Sequence, residues 1–153
     1  QMNKAEQNYQ RARANLLVMT LLTVLNIILI VADSTISFPF SAIIPQLAVI
    51  AGIYLLEESF WAVIVIGISI AAISMAVYFL CYFLSRKYFG WMIGALCLFS
   101  LDTLVCLLYT VVFFDVIYLI EIAFHGWVLY YLILGVASGR KLGKIGQDKL
   151  TVS

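Results

Sequence analysis

An α-helix crosses the hydrocarbon of a bilayer with about 20 apolar residues. This chain contains five runs suited to that task, at 14–32, 38–56, 60–84, 89–114 and 116–137. With 65% hydrophobic and 11% charged residues over 153 positions, the chain cannot divide into a soluble core and surface, because soluble domains carry roughly a quarter charged residues. The expected fold class is an all-α membrane protein, with 1–153 forming a single transmembrane domain. Met2 is the expected native start and Gln1 an addition. The long first run, preceded by a polar helix-prone stretch, does not read as a cleavable signal.

The charges decide how many of the runs cross. If all five cross with the amino end in the cytosol, Arg86, Lys87, Arg140, Lys141, Lys144 and Lys149 fall outside against Lys4, Arg11 and Arg13 inside. That arrangement breaches the positive-inside rule. If 38–56 instead enters and leaves on the outer side, all nine Lys and Arg residues are cytosolic. Asp33, Glu57, Glu58 and Asp115 then form an outer acidic vestibule.

The second run is also the weakest on its own terms. Pro39 and Pro45 interrupt its hydrogen bonding, and Ser41, Gln46 and Gly52 dilute it. Such backbone is tolerated at membrane depth only against protein or a wet cavity. The expected architecture is therefore four transmembrane helices plus one re-entrant or interfacial segment between the first and second spans, with cytosolic ends 1–13 and 138–153. A fifth ordinary span is the alternative. Residues 3–13 should extend the first helix beyond the membrane. The tail after Ala137, rich in glycine and cations, should fray and be drawn to anionic headgroups.

An ionisable side chain near the bilayer centre costs at least ~2.5 kcal/mol on insertion scales and so faces a partner or water. Asp102 lies halfway along its run, His125 at nearly the same depth in the antiparallel last helix, and Glu121 one turn nearer the outer face. Asn26, on a stripe with Thr20 and Thr23, reaches the same layer. These residues predict a buried polar cluster of Asn26, Asp102, Glu121 and His125, serving either ion or proton handling or the tying together of helices.

Other chemistry is thinly represented. Cys81, Cys97 and Cys106 sit in apolar helices without CxxC spacing, so neither disulfides nor a metal site is expected. No cofactor motif, catalytic signature or nucleic-acid-binding stretch is evident. Gly67, Ala71 and Ser74, and separately Gly90 and Gly94, form small-residue stripes suited to close helix packing within the chain or in a homo-oligomer.

The stretches ARANLLVMTLLTVLNIILI at 12–30 and FHGWVLYYLILGV at 124–136 resemble small uncharacterised bacterial inner-membrane proteins. In these, an A-R-x-N-L-L opening and an H-x-W-V-x-Y-Y-L-I closing motif bracket four or five apolar segments. The resemblance implies a bacterial plasma membrane and transfers no catalytic residue. The leading functional expectation is a small oligomeric transporter or channel for a cation or protons, because acidic groups line a path toward the buried cluster. A noncatalytic membrane partner or assembly factor is the second expectation, and an intramembrane enzyme the third.

Overall fold

The computed structural model describes residues 3–32, 38, 41–54, 61–113 and 116–151. They form five helices: α1 (Lys4–Val31), α2 (Ile43–Tyr54), α3 (Trp61–Leu84), α4 (Gly90–Val112) and α5 (Val116–Thr151). Four of these are long and apolar enough to cross a membrane, and α2 is the shorter apolar helix between the first and second of them. At 1.5 Å per residue, the 12 residues of α2 rise about 18 Å, well short of the roughly 30 Å hydrocarbon core.

The long helices form a ring in which α1 packs on α5, α5 on α4, α4 on α3 and α3 on α1. Helix α2 is wedged among α1, α3 and α4, with its broadest contact on α3. Its close approach to α3 depends on Gly67, where an added Cβ would collide with the carbonyl oxygen of Ala48. Ala71, one turn further along the same face, is buried as well. Gly67 and Ala71 are therefore used within the chain, whereas Gly90 and Gly94 lie on exposed positions of α4.

The ends of the bundle differ in charge. Tyr9 and Arg13 of α1 bond to Ser85 in the α3–α4 turn, and an added Cβ on Gly139 of α5 would strike Phe89 and Tyr9. The start of α1, the α3–α4 turn and the later part of α5 thus share one end. All nine Lys and Arg residues belong to these segments.

Two expectations about the ends meet different outcomes. The extension of the first helix is present, since α1 begins at Lys4 and the Asn3 side chain accepts a hydrogen bond from the Ala5 N–H. The expected fraying after Ala137 is not found, because α5 continues to Thr151. Gly135 packs against Ala12 and Met92, and Gly139 against Phe89 and Tyr9. Isolated glycines weaken a helix by about 1 kcal/mol each, but Gly135 and Gly139 let this part of α5 lie directly on the extended α1.

The core between the helices is apolar and tightly filled. Leu16, Met19, Tyr78, Met92, Phe99 and Leu132 are almost fully enclosed. Near the other end of this core the packing gives way to polar side chains.

Candidate functional site

A helix that begins inside a bilayer has a specific difficulty, because its first N–H groups have no intrahelical acceptor and no water to turn to. Helix α2 begins this way, and each of its leading donors has a partner. The Ala42 N–H donates to Thr23 Oγ1 at 2.8 Å. The Ile43 N–H donates to Asp102 Oδ2 at 2.9 Å, and the Ile44 N–H to Asp102 Oδ1 at 2.8 Å. The next residue, Pro45, has no N–H to satisfy. Asp102, on the middle of α4, therefore caps α2 from a different helix.

The cap is favourable in charge as well as geometry, since the start of a helix carries roughly half a positive charge. The Asp102 side chain is also paired with His125, whose Nε2 lies 2.9 Å from Oδ2. The imidazole Nδ1 lies 2.9 Å from the Glu121 carbonyl oxygen. A carbonyl can only accept, so Nδ1 carries a proton. One further proton is shared along the Nε2–Oδ2 line, and the pair is neutral overall whichever atom holds it. Phe99 stacks on the imidazole with ring centroids 5.1 Å apart and planes 11° from parallel, which fixes the ring's orientation.

Asn26 acts one layer away on the segment leading into α2. Its Nδ2 donates to the Phe38 carbonyl at 2.6 Å and to Ser41 Oγ at 2.7 Å, while its Oδ1 accepts the Phe38 N–H at 2.8 Å. One amide side chain thus pairs with both backbone groups of Phe38, much as a neighbouring strand would. Gln46 Nε2 also donates to Ser41 Oγ. Thr23 completes the arrangement by donating to the Met19 carbonyl while accepting from Ala42.

Asp102, His125, Asn26 and Thr23 are 0%, 2%, 1% and 0% exposed. Every buried side-chain nitrogen and oxygen among the described residues has a hydrogen-bond partner. This polar layer is sealed.

The residues expected from the sequence divide accordingly. Asp102 and His125 are in direct contact, as their matching depths predict. Asn26 belongs to the same assembly through the segment it holds, its partners being Phe38 and Ser41. Glu121 enters through its backbone carbonyl, and its carboxylate is only partly buried. Thr20 bonds back to Leu16 in its own helix. The acidic vestibule of Asp33, Glu57, Glu58 and Asp115 lies outside the described residues.

Several contributors were not singled out by sequence reasoning. Ser41 and the Ile43 and Ile44 amides were missed because apolar residue types say nothing about their backbone donors. Pro45 was the available signal, since proline is tolerated in the first turn of a helix.

The chemistry open to the layer is narrow. No group of three or more His, Cys, Asp or Glu side chains is arranged to hold a metal among the described residues. Both nitrogens of His125 have oxygen partners, and the fully buried Cys106 thiol lies beside the ring. No family model, curated protein or solved structure matches this chain.

A second polar site lies at the basic end. Arg13, 9% exposed, donates from Nε to Ser85 Oγ at 3.2 Å, from Nη2 to the Tyr82 carbonyl at 3.3 Å and from Nη1 to Gln10 Oε1 at 3.1 Å. Its guanidinium also lies 5.0 Å from the centre of the Tyr82 ring. The Tyr9 hydroxyl donates to the Ser85 carbonyl at 2.7 Å. These donors from α1 satisfy acceptors at the carboxyl end of α3, where a positive charge is favoured.

Proposed function

We propose that this chain is a noncatalytic membrane-embedded protein, a partner or assembly factor, whose buried polar residues hold a half-length helix inside the bundle. The observation that carries this reading is the use of Asp102: both carboxyl oxygens accept N–H groups from α2, and one also faces His125. A cation at this carboxylate would have to displace the start of α2. Inner-membrane placement in a bacterium, with the basic end in the cytosol, accords with the distribution of Lys and Arg.

Proton handling by a small oligomeric transporter is the second reading, favoured by one specific feature, the 2.9 Å contact between Asp102 and His125. Sealed vesicles carrying the purified chain separate the two. The partner reading expects an imposed proton or cation gradient to decay no faster than in empty vesicles. Faster decay that disappears in normally folded Asp102→Asn and His125→Ala variants would overturn it in favour of transport.

A further inference from the structure

A cleft of about 220 Å³ opens at the basic end, between the α3–α4 turn and α5. Arg86 and Lys87 stand on its wall, both exposed, while Phe89, Gly139 and Leu142 supply an apolar floor. Ser85, also on the wall, is the residue whose hydroxyl accepts from Arg13. One cation bonds this serine and two more follow it directly in the chain.

Among the described side chains none of the three has a carboxylate partner. Among the described residues the ion pair is that of His125 with Asp102, and the partners of Arg13 are neutral groups of Gln10, Ser85 and Tyr82. Glu6, exposed on the first turn of α1, pairs with none of them. A buried cation is costly unless an anion compensates it. Arg13 is met by neutral acceptors at the end of α3, whereas Arg86 and Lys87 are exposed beside the cleft and open to an outside anion.

The position and lining of the cleft indicate what kind of anion it suits. The apolar span of α3 ends at Leu84, immediately before this turn, so the cleft lies where hydrocarbon gives way to headgroups. A ligand that suits it has a negative charge for Arg86 and Lys87 and an apolar body for Phe89 and Leu142. We infer that the cleft binds the phosphate headgroup of an anionic membrane lipid, with the glycerol and upper acyl carbons against its floor. This site is independent of the proposed function of the polar layer.

The test uses the full chain purified in detergent and offered equal amounts of phosphatidylglycerol and phosphatidylcholine, with retained lipid counted by native mass spectrometry. The anionic lipid should be retained in preference. That preference should fall about fivefold for each of Arg86→Gln and Lys87→Gln, in line with the attraction of a single cation near a membrane surface. Arg140→Gln, outside the cleft, should leave it unchanged. Leu142→Trp, which fills the floor without altering charge, should abolish it.

Equal retention of the two lipids overturns the inference. So does a preference that survives the combined Arg86→Gln and Lys87→Gln substitutions in a chain with normal thermal unfolding. Inorganic phosphate that stabilises the protein as strongly as the lipid does would assign the cleft to a free anion and overturn it equally.

Discussion

Two helix ends in this protein are finished by side chains from elsewhere, and they are finished in opposite ways. The start of α2 meets a carboxylate from α4 and a hydroxyl from α1, whereas the end of α3 meets a guanidinium and a phenol from α1. Each choice suits the helix dipole. The difference lies in compensation: the deep carboxylate is matched by His125, while the partners of Arg13 near the end of the bundle are, among the described residues, neutral. Depth explains the contrast, because the middle of the bundle must be electrically complete within the chain, whereas its end can draw on water and headgroups.

The sharpest way to break this comparison is to remove the deep charge. Asp102→Ala leaves two backbone donors and an imidazole without partners, and should destabilise the chain by about 3–5 kcal/mol, as expected on breaking a buried pair. Chemical unfolding in detergent measures it. A loss below about 1 kcal/mol would mean that water reaches the layer and that depth does not distinguish the two sites.

Arg13→Ala should cost less, about 1–3 kcal/mol, because the released Ser85 and Tyr82 acceptors can find water at the end of the bundle. The same unfolding measurement applies, and a loss matching that of Asp102→Ala would erase the contrast. Thr23→Val keeps the shape while removing the acceptor for the Ala42 N–H, and is expected to cost about 1–2 kcal/mol. A neutral result would show that this donor has another acceptor.

The smallest effects come from glycine. Gly67→Ala would press a methyl group against the Ala48 carbonyl and should lose about 1 kcal/mol or more through overpacking. Gly90→Ala meets open space and should be neutral within about 0.5 kcal/mol. Thermal unfolding of the two variants side by side tests whether α2 is held by close backbone approach as well as by its cap.

Much of this arrangement was legible in the sequence, for identifiable reasons. The four long apolar helices follow from run length, and the exceptional status of 38–56 follows from its prolines together with the distribution of Lys and Arg. The Asp102–His125 contact could be anticipated because antiparallel helices of regular rise bring residues at matching depths together. What Asp102 does there could not. Its further partners are backbone amides of Ile43 and Ile44, and only the path of the chain into α2 brings them to the carboxylate.

Arg13 was read as a topological charge, since an arginine beside a span ordinarily reaches water, yet it is folded back onto the end of α3. The small-residue reasoning was selective in a similar way. Gly67 does serve close packing, but the GxxxG pair at the α1–α5 contact is Gly135, inside the last span, and Gly139, in the stretch whose glycines and cations suggested a frayed tail.

The central claim is that Asp102 caps α2 within the membrane bundle, and amide hydrogen exchange at Ile43 and Ile44 addresses it most directly. In the native chain both amides should be strongly protected. In Asp102→Ala their exchange should accelerate at least about 100-fold, equivalent to about 2.7 kcal/mol of lost protection, while amides in the middle of α3 keep their protection. Rapid exchange at Ile43 and Ile44 in the native chain, or unchanged protection in a folded Asp102→Ala variant, would contradict the claim.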